Sequence, residues 1–165
     1  MRLSVNISAV QFRRGDLAQT VRMVLEESGF DPSMLCLELT ESLLMADTAH
    51  AQEKLEELRS LGLALSLDDF GTGYSSLSYL SRLPVQELKV DQSFIRRLHH
   101  AATDAAVVNT IIAMGQELGL ELVAEGVETE EQRNHLSGRG CTSMQGFLFS
   151  KPLPAADLFR FVNKR

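Results

Sequence analysis

The 165-residue chain has little cysteine, two residues in all, and neither belongs to a zinc-type spacing. Cys36 lies inside an apolar run and Cys141 beside Gly140. Two isolated thiols supply no disulfide framework, so stability has to come from a packed core, and a reducing cytoplasm suits such a chain. Positive charge is also scarce: 16 Lys and Arg stand against 22 Asp and Glu, for a net charge of -6 and a pI near 5.2. That argues against a nucleic acid polymer or an anionic membrane surface as partner, since both demand basic surface. A phosphate ligand held through metal ions is still compatible with it. No apolar run reaches the roughly 18 residues that a membrane span needs. No strand pattern runs into the Gly-x-Gly-x-x-Gly fingerprint of dinucleotide folds. The start, MRLSVNISAV, is too short and polar for a signal peptide and enters a strand pattern almost at once, the expectation for a fragment of a longer domain. His50, His99, His100 and His135 fall in helical or connecting stretches, so a histidine zinc site is not expected.

What is present is an alternation. Short β-rich runs (RLSVNIS, LCLELTE, LALSLDDF, ELKVDQS, LELVAEGVE and TSMQGFLF) are separated mostly by helical patterns. Leu17, Val21, Val24 and Leu25 share one helical face ahead of Gly29. Leu55, Leu58 and Leu61 form a second stripe closed by Gly62, and Val107, Val108, Ile111, Ile112 and Leu118 a third closed by Gly119. Apolar spacings of three and four followed by glycine mark helices and their ends. Thr129 to Gln132, TEEQ, reads as a capping box, and Pro154 as the first turn of a last helix. Strands alternating with helices predict α/β units around a parallel sheet of six strands in one domain. Such a sheet is either open and doubly wound or part of an eight-stranded TIM barrel, which usually needs about 250 residues.

Polar side chains gather at one end of these runs. Asn6, Glu38 with Glu41, Asp68 with Asp69, Lys89 with Asp91, Glu125 with Glu128, and Gln145 all lie at or near the carboxyl ends of their strands. That edge of a parallel sheet is where ligands bind. The set consists of hard oxygen donors and one ammonium, which suits Mg²⁺, Mn²⁺ or Ca²⁺. Crowded acids raise one another's pKa unless cations offset them, and a pair of metals about 3.5–4 Å apart is the usual solution for phosphodiester hydrolysis. Each residue alone has a plainer reading. Glu41, Asp91 and Glu128 could cap helices, Asn6 could form a turn, and Lys89 could point outward along its strand. Thr72, Ser75 and Ser76 could cap the next helix. Turn chemistry alone would not deliver oxygen donors to every strand end.

The segments SVNISAVQF, LELTES, LDDFGTGYSSLSYL, LKVDQSFI, VAEGVET and QGFLFSKPL occur in this order along the whole chain. Together they closely resemble the EAL domain family, which hydrolyses cyclic di-GMP. The resemblance implies a TIM-barrel-like (β/α) fold with about six of the eight barrel strands. Residues 1–165 are then one partial domain running from the third strand to the carboxyl end. It implies Asn6, Glu38, Asp68, Asp69, Asp91 and Gln145 as metal-site residues, with Asp68 shared between two ions. Lys89 resembles a lysine that contacts the attacking water, and Glu125 a general base or metal partner. Glu41 resembles the tether of the loop from Phe70 to Ser76, where Gly71, Thr72 and Gly73 allow movement. Glu128 supports the same region, and Pro152 falls near a guanine-contacting segment.

The implied activity is Mg²⁺- or Mn²⁺-dependent hydrolysis of one ring ester of cyclic di-GMP to linear pGpG, with Ca²⁺ inhibitory. A cyclic di-GMP receptor that does not cleave is the alternative. The Glu-Ala-Leu segment that names the family, and the phosphate-contacting Arg after it, do not occur here. The expectation is therefore an incomplete barrel with impaired turnover, exposed edges that self-associate, and a cytoplasmic location, even if upstream segments anchor the parent protein in a membrane.

Overall fold

The computed structural model describes residues 2–45, 48–71, 77–98 and 102–162. Six strands form one sheet: β1 (Leu3–Asn6), β2 (Leu35–Thr40), β3 (Ala64–Phe70), β4 (Glu87–Val90), β5 (Glu121–Ala124) and β6 (Ser143–Met144). Every neighbouring pair is parallel and the spatial order is β1-β2-β3-β4-β5-β6. This order decides between the two expected architectures. A doubly wound sheet reverses its order at a switch point; a sequential one keeps every right-handed crossover on one face and curls toward a barrel. The fold is the TIM-barrel-like α/β arrangement, present as six strands.

Strand alternation separates the two faces. Leu37 and Leu39 of β2, Leu65 and Leu67 of β3, Leu88 and Val90 of β4 and Ala124 of β5 are buried within the apolar core. The helices supply the other half of that core. They are α1 (Ala9–Arg13), α2 (Leu17–Ser28), α3 (Glu41–Met45), α4 (Thr48–Ser60), α5 (Leu77–Leu80), α6 (Gln92–Arg97), α7 (Ala102–Glu117), α8 (Glu130–Gly138) and α9 (Ala155–Val162). Leu55 and Leu58 of α4, Ile95 of α6, Val108 and Ile112 of α7 and Leu136 of α8 are at most 1% exposed. Truncating any of these leucines or isoleucines to alanine would cost about 2–5 kcal/mol through lost transfer and a residual cavity. The intervening strand positions Cys36 and Glu38, Ser66 and Asp68, and Glu87 and Lys89 carry the opposite, polar face.

The expected helix ends hold. Gly29 caps α2 in the left-handed region, and Gly62 and Gly119 follow α4 and α7 with positive φ. The TEEQ capping box is complete, with Thr129 and Gln132 bonded reciprocally at the start of α8. Three expectations need correction. The run TSMQGFLF pairs only over Ser143–Met144; Gly146 then turns the chain, and Phe149 and Ser150 donate back to its carbonyl. Pro154 precedes α9, where its carbonyl accepts from the amides of Asp157 and Leu158. Val107 and Leu118 are exposed, so the buried side of α7 is carried by Val108, Ile111 and Ile112. Among the described residues, no helix is long and apolar enough to cross a membrane.

Candidate metal centre

Lys89 is the hub of the polar face. It stands on β4, is 5% exposed, and points away from the leucines rather than outward to solvent. Its Nζ lies 2.6 Å from Glu125 Oε1, 2.9 Å from Glu38 Oε2 and 3.3 Å from Asp68 Oδ1. Burial works to lower the pKa of this ammonium. Hydrogen bonds to Glu125 and Glu38, with the charges of Glu125 and Asp68, outweigh it and hold the group above its ordinary value. Lys89 is thus a fixed positive charge at neutral pH. Removing its side chain would strand carboxylates that lie out of water.

Asp68 and Asp69 resolve a geometric conflict. Adjacent residues in a regular strand face opposite sides. Here β3 shifts register against β4 between Leu67 and Phe70, and Asp69 takes φ 55°, left-handed for a non-glycine residue. Such a bulge re-aims a side chain. Oxygen atoms of Asp68, Asp69 and Glu125 come within 4.8 Å of one another as a result. Aspartate tolerates this conformation better than most residues, because its short polar side chain bonds locally; the Asp69 amide donates to Asp68 Oδ1 at 3.0 Å.

Burial, then the charges of Asp68 and Asp91, push the Asp69 carboxyl above its usual range, and it shares a side-chain hydrogen bond with Asp91. Burial likewise raises Glu125, against the opposing pull of Lys89. Acids held above their ordinary range beside one another are the electrostatic signature of a place that a cation would relieve. The donors are all hard oxygens, so the residues present fit Mg²⁺ or Mn²⁺.

The remaining residues divide clearly. Gln145 Nε2 donates to Glu125 Oε1 at 2.8 Å, which joins the β6 end to the hub. Asn6 ends β1 in register with Glu38. Asp91 combines both of its readings: it caps α6 through the Ser93 amide at 2.9 Å and also meets Asp69. Glu41 opens α3, is 2% exposed, and accepts the Gly71 amide at 2.9 Å through Oε2. Gly71 has φ 96°, and a Cβ there would lie 2.9 Å from the Phe94 ring, so glycine is required. Thr72 and Gly73 lie outside the described residues. Glu128 and Pro152 are not at the hub. They line an adjoining cleft of about 470 Å³ with Arg96, Glu125, Gln145, Phe147 and Lys151. Sequence reasoning missed Arg96 and Phe147, although Arg96 directly follows the segment LKVDQSFI and Phe147 lies inside QGFLFSKPL.

The EAL domain family model matches residues 1–152. The bifunctional diguanylate cyclase/cyclic di-GMP phosphodiesterase MucR of Pseudomonas aeruginosa is 49% identical over 160 residues, 97% of this chain and 23% of that protein. This chain therefore spans about a quarter of that relative's length. The solved PaMucR phosphodiesterase in complex with c-di-GMP superposes with a TM-score of 0.93 at 50% identity, covering 95% of this chain and 64% of that one. A manganese/c-di-GMP complex of Klebsiella pneumoniae BlrP1 matches with a TM-score of 0.83 at 34% identity, over 92% of this chain and 39% of that one. A family match over nearly the whole chain thus agrees with the sequential parallel sheet and with acids at its carboxyl edge: the chain belongs to the EAL domain family.

Proposed function

We propose that the chain carries the metal-binding part of a cyclic di-GMP phosphodiesterase, hydrolysing one phosphodiester of the cyclic dinucleotide to give linear pGpG. The observation that carries this reading is the convergence of Asp68, Asp69 and Glu125 around a buried Lys89. MucR, a similar protein, is named for this activity, and the BlrP1 structure is a manganese/c-di-GMP complex. Asp68, Asp69 and Glu125, with Asn6, Glu38, Asp91 and Gln145 around them, would hold Mg²⁺ or Mn²⁺, which supplies Lewis acidity toward the phosphate and an acidified water.

The chain's own residues do the rest. Lys89 pairs with Glu38, Asp68 and Glu125 and stabilises negative charge developing at phosphorus. Glu125, poised by burial above its ordinary range, accepts the proton of the attacking water and is held in place by Gln145. Glu41 fixes the start of the loop that follows β3 by accepting the Gly71 amide. Arg96, Glu128 and Pro152 border the cleft that receives the nucleobase end of the ligand.

Residues 1–165 act as one partial EAL domain. Among the described residues, β1 and β6 each have one paired neighbour, and Leu3, Val5, Phe147 and Phe159 are at least 40% exposed. Open edges with apolar flanks favour association between copies and lower turnover relative to a closed barrel. We place the reaction in the cytoplasm. The test is pGpG release from cyclic di-GMP with Mg²⁺, Mn²⁺ or Ca²⁺. Slow release with the first two and inhibition by Ca²⁺ are expected. Tight binding with no release would instead make the chain a receptor, and no binding at all would overturn the reading.

A further inference from the structure

Gln132 does more than cap α8. It is 7% exposed, and its Oε1 accepts the amides of Glu128 at 2.8 Å and Thr129 at 3.1 Å. Its Nε2 reaches across to α6 and donates to the Ile95 carbonyl at 3.0 Å. A capping box needs only an acceptor at this position, which glutamate supplies as well as glutamine. The donor half of the amide is surplus to the cap, and it is the half that crosses between elements.

The segment so tied runs from Glu125 to Thr129 and is gripped elsewhere by backbone. The Val127 amide donates to Gln145 O at 3.0 Å, and the Leu148 amide to Val127 O at 3.0 Å. A Cβ on Gly126 would stand 2.7 Å from Gln92 Cβ, so the segment also lies directly against α6. Gln132 fastens its far end to the same helix, which Asp91 caps at its start. The Glu125 carboxylate, 2.6 Å from Lys89, stands at the near end.

We propose that Gln132 is a positioning residue for Glu125: the strut from its Nε2 to the Ile95 carbonyl, and not the cap, sets where segment 125–129 stands against α6 and therefore where the Glu125 carboxylate lies. The inference rests on the phosphodiesterase reading for its catalytic consequence but not for its geometry. Gln132→Glu separates the two halves, keeping both amide acceptors and losing the donor; Gln132→Leu removes both.

Three readouts decide the matter: Mn²⁺ affinity, amide hydrogen exchange at residues 128 and 129, and kcat against KM for cyclic di-GMP. Partners that orient a metal ligand are typically worth tenfold or more in affinity or activity, so Q132E is expected to lose about tenfold in Mn²⁺ affinity and in kcat with KM nearly unchanged. Its amides at 128 and 129 should stay protected, while Q132L shows the same losses with those amides exposed. Wild-type Mn²⁺ affinity and kcat in Q132E would overturn the proposal, whether or not Q132L folds. Absence of turnover by the wild-type chain would count against the phosphodiesterase reading alone, because the Mn²⁺ affinity ratio still decides the role of Gln132.

Discussion

The polar face of the sheet holds two cations among acids, and they behave differently. Lys89, toward the carboxyl edge, has a side chain 6% exposed and faces Glu38, Asp68 and Glu125. Arg2, toward the amino edge, is 33% exposed and bridges Glu87, which is buried, and Glu121, which is 67% exposed. Glu87 and Lys89 lie two residues apart on the same face of β4, so one strand carries both clusters. Around Arg2 water screens one acid, and the pairing satisfies charge locally. Around Lys89 three carboxylates converge with Asp69 and Asp91 close by, and the negative charge exceeds what one ammonium can balance. A structural ion pair balances its charge; a metal site leaves an excess for the cation to fill.

Substitutions that strip each cation probe this contrast. Lys89→Met should have the largest effect, because it strands buried carboxylates; denaturant unfolding should show a loss of about 3–5 kcal/mol. Supplying Mn²⁺ should act in the opposite direction. At a hundredfold excess over its dissociation constant it should stabilise the wild-type chain by about 2.7 kcal/mol, an effect that chelator removes and that Asp68→Asn abolishes. Arg2→Met should cost less, about 1–3 kcal/mol, because it leaves Glu87 buried without its partner while Glu121 stays in water, and it should leave Mn²⁺ binding unchanged. Equal losses for Lys89→Met and Arg2→Met would erase the distinction between the clusters.

The smallest effect concerns Cys36, at the Arg2 end of the face. Burial, with the charge of Glu87, raises its thiol from 9.0 to about 11. Its folded-state pKa is raised, so this contribution to stability is complete below pH 9 and declines as pH rises toward 11. Alkylation at pH 8 should accordingly be slower for Cys36 in the folded chain than in denatured chain, by at least about tenfold.

Strands, helix ends and the acids at the strand ends were legible in the sequence because each rests on local chemistry: two-residue alternation, apolar spacing before glycine, the TEEQ box. The adjacency of Asp68 and Asp69 was visible in the sequence, but the way both reach one site was not, because the bulge in β3 depends on register against β4. The truncated β6 escaped notice for a similar reason: QGFLF has strand-like composition, and the turn at Gly146 follows from its close approach to the Val127 backbone. Gln132 was legible as a cap, but its bond to Ile95 spans 37 residues and has no sequence signature. The Arg2–Glu87 pair, separated by 85 residues, was equally hidden.

The central claim is that Asp68, Asp69 and Glu125 form a divalent metal site around Lys89. Its most direct test is an Mn²⁺ titration of the purified chain followed by electron paramagnetic resonance, with Asp68→Asn alongside. Saturable uptake by the wild-type chain that disappears in D68N is the predicted result. Equal uptake by both proteins, or none by the wild-type chain, would contradict the claim.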